Sequence, residues 1–239
     1  MKTPIRLGML TPSSNTTLEP VTYRMLSGLP NITAHFGRFK VTEIALTDAA
    51  LGQFDDTEIL RAAELLAHAK VDCIAWNGTS AAWLGFDRDE RLIERIKAAT
   101  GIKACTTVLS YREIFRRDGH KRIGLVTPYI DDVQTRIMSN WAAAGFSVSA
   151  ERHLGIQDNF SFAEVDEATT EAMVRDVVRK GVDCVAIVCT NVNGAAVSAR
   201  LERELGVPVL DSVAVTLWAS LRAAGADPAG VQGWGRVFG

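Results

Sequence analysis

Short runs of apolar residues alternate along this chain with longer stretches in which apolar positions recur every three or four residues. Residues 5–10 (IRLGML), 71–76 (VDCIAW), 123–126 (IGLV) and 182–188 (VDCVAIV) read as buried strands. Residues 57–69 place Ile59, Leu60, Ala63, Leu66 and Ala67 at helical spacing, and residues 168–179 follow the same pattern. Strands that are apolar on both faces need cover on both, and intervening amphipathic helices supply it. The pattern therefore predicts an α/β fold built on parallel sheets.

The pattern also occurs twice. RLGMLTPSSN from Arg6 aligns with RIGLVTPYID from Arg122, VDCIAWNGTS from Val71 with VDCVAIVCTN from Val182, and GIKACTTV from Gly101 with GVPVLDSV from Gly206. The offsets are 116, 111 and 105 residues, in the same order and drifting slowly. Two copies are too few for a solenoid. They predict two pseudo-symmetric halves, residues 1–117 and 118–239, that face each other across a cleft, with the last helix and tail free to pack back on the first half. The charged, glycine-containing stretch RRDGHK marks the boundary.

Ligands of open α/β sheets sit beyond the carboxyl ends of the strands. The repeat places four loops there, at residues 11–15, 78–80, 127–129 and 189–191. It sets Gly78 opposite Cys189, so one half carries a thiol where the other has no side chain.

Composition narrows the chemistry. The 239 residues carry 26 basic and 28 acidic side chains, a near balance that lacks the basic footprint of a nucleic-acid binder. No uncharged apolar stretch is long enough to span a bilayer, and the first residues lack the pattern of an export signal, so a cytoplasmic protein is expected. Cys73, Cys105, Cys184 and Cys189 show no CxxC pair, and the four histidines are scattered, so neither a metal site nor a disulfide framework is expected. GWGRVFG near the end has no preceding strand and no following helix, so it is not a dinucleotide fingerprint. The acidic pairs Asp55–Asp56 and Asp131–Asp132 read as helix-start or solvated charges, and the tryptophans as core or interface.

Cys189 closes an apolar run, and TNVNG after it is expected to open a helix. A thiol facing helix-terminal N–H groups would have a depressed pKa and a populated thiolate, fit to move a proton or attack an electrophile. The plain alternative is a packed cysteine, which is also the expectation for Cys73, Cys105 and Cys184. Thr79 and Ser80 are either ordinary helix caps or donors to a carboxylate. Ser13, Ser14 and Asn15 form a similar polar turn, and Tyr129 replaces Ser13 in the repeat. Together these groups describe a pocket of neutral donors suited to a carboxylate that gains enolate charge.

LTPSSNTTLEP, GTS, CTT, TPYIDDV, the strand ending at Cys189 and the closing GWGRVF resemble the aspartate/glutamate racemase superfamily. The branch is that of arylmalonate decarboxylase and maleate cis-trans isomerase. The resemblance covers nearly the whole chain. It implies two pseudo-symmetric α/β halves with the site between them, and no metal, nucleotide or pyridoxal phosphate. It also implies that Cys189 is the cysteine which protonates an enediolate in the decarboxylase, and that Gly78 stands where racemases and the isomerase have a second cysteine. Gly78, Thr79, Ser80, Tyr129, Thr190 (through its backbone N–H) and Asn191 would then surround the substrate carboxylate. Asn15 and Asn159 resemble polar substrate-binding residues of the isomerase, and Ser14, in the same polar turn as Asn15, is a further substrate-binding candidate.

The resulting expectation is a cofactor-independent enzyme acting at the carbon α to a carboxylate of a small carboxylic or dicarboxylic acid. Decarboxylation leads, because Gly78 supplies no second base or nucleophile. Isomerisation or racemisation is the enzymatic alternative, and a non-catalytic acid-binding protein is the alternative of another class. Gly78→Cys is expected to create a two-sided, racemising site. A homo-oligomer stays open.

Overall fold

The computed structural model describes residues 4–53 and 56–239, apart from the side chains at 49 and 51. The first half runs β1 (Ile5–Pro12), α1 (Leu18–Leu26), β2 (Ile32–Phe39), α2 (Asp48–Gly52), α3 (Asp56–His68), β3 (Cys73–Trp76), α4 (Ala81–Leu84), α5 (Phe86–Thr100), β4 (Ala104–Thr106) and α6 (Thr107–Asp118). The second half runs β5 (Arg122–Thr127), α7 (Asp131–Ala143), β6 (Ser147–His153), α8 (Glu167–Val178), β7 (Cys184–Ile187), α9 (Ala195–Leu205), β8 (Val209–Asp211) and α10 (Ser212–Ala223).

Each half is one parallel four-stranded sheet. The strand orders, β2-β1-β3-β4 and β6-β5-β7-β8, are the same order repeated. The central strands are the apolar ones, because they are covered on both faces: β3 and β7 are buried throughout. Leu7 pairs with Cys73 in the first sheet as Ile123 pairs with Cys184 in the second. Both cysteines are fully buried and free, consistent with packed strand residues.

The two last helices exchange places. α6 sends Tyr111 into the second half, where its hydroxyl donates to the carbonyl of Ile187 at 2.7 Å and lies 3.1 Å from Ser212 Oγ. α10 packs against β3, β4, α6 and α1 of the first half. Thr107 and Thr216 meet hydroxyl to hydroxyl at 2.7 Å, and Lys103 donates to the carbonyl of Ala223. The interface is therefore core: Tyr111, Phe115, Trp141 and Phe146 form one aromatic cluster across it.

A second seam closes the other side. Glu43 and Asp158 form an antiparallel bridge, the Ile44 N–H donates to Gln157, and the Asn159 N–H donates to Thr42. This seam brings the segment after β2 up against residues 157–159.

Asp56 and the Asp131–Asp132 pair open helices, as expected; Asp55 lies outside the described residues. Asp56 is not solvated, however. It is buried and ion-paired with Arg88 and Arg95 of α5. No helix among the described residues is long and apolar enough to cross a membrane.

Candidate active site

The carboxyl ends of β3 and β7 meet between the halves around a tight cavity of about 20 Å³. Its wall includes Gly78, Thr79 and Ser80 from the turn after β3, Tyr129 from the turn after β5, and Cys189 and Thr190 from the turn after β7. Pro12 and Asn159 complete its expected part, while Val41, Ile44, Trp76 and Trp83 complete it from positions not anticipated. A wider groove lined by Cys105, Leu109, Arg112 and Arg222 opens elsewhere and holds none of the expected site residues.

The donors are linked across the two halves. Tyr129 Oη lies 2.6 Å from Thr79 Oγ1. Burial raises the Tyr129 phenol well above its ordinary pKa, with the nearby Cys189 sulfur adding to the effect, so it is a neutral hydroxyl. Its ring meets Trp83 edge-on at 5.3 Å and Phe162 at 5.5 Å, which fixes its direction. Ser80 stands at the N-cap of α4 but its side chain makes no capping bond. Neither Thr79 nor Ser80 therefore spends its hydroxyl on the helix start.

Cys189 is buried, and its own N–H donates to Ser212 Oγ at 3.0 Å, which in turn donates to the Ile187 carbonyl. The N–H of Asn191 points at the sulfur from 3.4 Å. The expected depressed pKa is not found: burial pushes the thiol up to about 12, beyond what the Asn191 N–H and the Tyr129 hydroxyl recover. The reason lies in the backbone. Residues 190–194 form turns, and α9 begins only at Ala195, so the helix end does not sit at the sulfur. At neutral pH Cys189 is a thiol, a form able to give a proton.

Other expected residues hold the frame rather than the cavity wall. Asn15 accepts the N–H groups of Thr17 and Leu18 at the start of α1, and donates to Thr190 Oγ1 at 3.0 Å. Thr190 Oγ1 donates onward to the Asn77 carbonyl at 3.1 Å, so its side chain is committed while its backbone stays at the wall. Asn191 accepts the N–H groups of Thr16 and Thr17 and donates to the Asn159 carbonyl. Ser14 donates to Val41 and accepts from Asn159 Nδ2 at 2.8 Å. Ser14, Asn15 and Asn191 thus stitch the halves together behind the cavity.

Among the described residues no three His, Cys, Asp or Glu side chains gather closely enough to hold a metal ion. The wall carries no charged group either. The wall combines neutral donors and a thiol with the apolar side chains of Pro12, Val41, Ile44, Trp76 and Trp83.

The sequence profile of arylmalonate decarboxylase matches residues 15–238. The chain belongs to the arylmalonate decarboxylase family. Within and around that family it is similar to a maleate isomerase of Pseudomonas putida, 28% identical over 237 residues and 93% of each chain. It is equally similar to the arylmalonate decarboxylase of Bordetella bronchiseptica, 28% identical over 97% of this chain and 95% of the other. The fold matches a cysteine variant of Nocardia farcinica maleate cis-trans isomerase carrying a covalently bound succinylcysteine intermediate, with a TM-score of 0.89 at 23% identity over 98% of each chain. It also matches a liganded double variant of arylmalonate decarboxylase, with a TM-score of 0.82 at 24% identity over 99% of each chain. Family members are thus enzymes of two kinds, decarboxylases and isomerases, acting on small acids.

Proposed function

We propose that the protein is a cytoplasmic, cofactor-independent decarboxylase of a small malonate-type acid, with Cys189 as the proton donor. One substrate carboxylate is held by the hydroxyls of Thr79, Ser80 and Tyr129 and by the Thr190 N–H. The second faces Pro12, Val41 and Ile44, where no donor supports its charge. Loss of CO2 breaks the bond between that carboxylate and the α-carbon. The electron pair passes into the retained carboxylate as an enediolate, whose growing charge the donors stabilise. The Cys189 thiol then delivers its proton to the α-carbon, and the thiolate left behind is reprotonated from solvent.

The observation that carries this reading is the asymmetry of the cleft. The cavity wall holds a neutral thiol at Cys189, and Gly78, its counterpart in the repeat, supplies neither base nor nucleophile. The test is an assay of the purified protein for CO2 release from substituted malonates and for fumarate formation from maleate. CO2 release that is lost in Cys189→Ala supports the proposal; conversion of maleate alone refutes it.

Asn159 favours a second reading, isomerisation of a cis-enedioate. It lies in the cavity wall, where an amide suits a second carboxylate better than an apolar group does. That reaction requires a thiolate at Cys189 or another nucleophile, and the burial that keeps the thiol protonated weighs against it.

A further inference from the structure

The glycine opposite Cys189 does not face open space. A Cβ built on Gly78 would lie 1.9 Å from Cζ2 of Trp76 and 2.3 Å from Cε2 and Cη2, well inside any real contact. The indole therefore occupies the volume that a side chain at position 78 would need. Trp76 is held there: it is 1% exposed, and its ring packs against Phe39 at 5.1 Å between centroids. Thr107 Oγ1 donates to its carbonyl. It is also part of the cavity wall.

The repeat sharpens the point. Trp76 aligns with Ile187 and Gly78 with Cys189. In the second half a branched aliphatic side chain is followed two residues later by the thiol; in the first half an indole is followed by no side chain at all. The two positions differ as a pair, one large and one absent against two of middling size.

We infer that Trp76 is the specificity-determining wall of the second face of this site, confining proton transfer at the α-carbon to the side of Cys189. The chemistry rests on the decarboxylase reading above; the steric relationship does not. Gly78→Cys alone is then insufficient for a two-sided site, contrary to the expectation from sequence. It takes Gly78→Cys together with Trp76→Ile, which transplants the pair found in the second half. In that variant the introduced thiolate removes the α-proton of a bound acid, the electron pair of the broken C–H bond enters the carboxylate, and Cys189 returns a proton on the opposite face. The two sulfurs exchange protonation states, and solvent resets them.

The test is a double-mutant cycle read in two ways. Melting temperatures are measured for wild type, Gly78→Cys, Trp76→Ile and the double variant. Exchange of the α-hydrogen of 2-phenylpropionate with D2O is followed by NMR in the same proteins. Overpacking in Gly78→Cys is expected to lower the Tm by roughly 3–10 °C, and the same change to cost little in the Trp76→Ile background. Exchange is expected at least about tenfold faster in the double variant than in either single one. A Gly78→Cys protein with wild-type Tm overturns the steric inference, whether or not any acid turns over. Where the wild type releases CO2 from malonates, a double variant that is folded by its melting transition yet shows no exchange above Gly78→Cys overturns the stereochemical one. Should the double variant not fold, Gly78→Ala in the wild-type and Trp76→Leu backgrounds reads the same steric coupling, and absence of coupling there overturns the inference.

Discussion

Tyr129 and Thr79, which come from different halves of the chain, meet hydroxyl to hydroxyl at 2.6 Å beside the Cys189 sulfur. The two hydroxyls hydrogen-bond to each other, and on the proposed function a substrate carboxylate draws both of them to itself. Tyr129→Phe removes one donor and leaves Thr79 without its partner. It is expected to lower kcat/KM by about 100-fold, the scale of one lost oxyanion donor. The cost in stability is about 1 kcal/mol. Steady-state kinetics and thermal melting on the same sample check both values.

Cys189→Ala should abolish turnover, by at least about 1,000-fold, while the protein stays folded, because the side chain contributes a small buried sulfur. Circular dichroism and melting separate chemical loss from unfolding. In the wild type, the raised pKa makes alkylation by iodoacetamide slow at pH 7. The rate should climb about tenfold per pH unit up to the thiol's pKa of about 12. Fast alkylation of Cys189 at neutral pH would show a thiolate and favour nucleophilic chemistry.

Much of this frame is legible in the sequence, for a physical reason. The central strands are buried on both faces, so VDCIAW and VDCVAIV stand out, and their repetition exposes the two halves and sets Cys189 against Gly78. The edge strands are less buried and carry no such mark: β2 mixes buried, half-buried and exposed positions, and no residue of β6 is buried. Val41 and Ile44 follow β2 in a segment with no periodic pattern of its own, so nothing in the sequence marks them as wall residues. Trp76 sits at the end of a recognised strand two residues before Gly78, which is the signal that would have placed it in the wall. The Cys189 thiol deceives from sequence because the turn at 190–194 delays α9 by a few residues, and burial then outweighs any helix end.

Asn15 supplies a contrast between frame and pocket. Its carbonyl oxygen caps α1 and its amide steadies Thr190, so Asn15→Ala removes a cap and a link at once. A loss of about 1–2 kcal/mol is expected, which lowers Tm by roughly 2–8 °C in a chain of this size. A variant with wild-type Tm and only a raised KM would instead place Asn15 against substrate.

Asp211 predicts the pH dependence of stability. It caps α10 through Oδ1, accepting from Val213 and Ala214, while its fully buried Oδ2 has no partner among the described residues. Burial raises its carboxyl from 3.8 to about 7. Between those values the folded chain keeps a proton that the unfolded chain has lost, so the stabilising contribution is complete below about pH 4 and is lost as the pH rises through 7. The loss is ~4 kcal/mol at most. Asp211→Asn keeps the cap and cannot titrate. Chemical denaturation at pH 5 and pH 8 should therefore show a larger fall for the wild type than for the variant, and equal falls would contradict the assignment.

The most direct test of proton delivery by Cys189 is decarboxylation of a prochiral disubstituted malonate, such as 2-methyl-2-phenylmalonate, in D2O. A single thiol acting on one face predicts CO2 release and a monoacid carrying one α-deuterium, formed as a single enantiomer. A racemic product, or no CO2 from malonates alongside conversion of maleate to fumarate, would contradict the account.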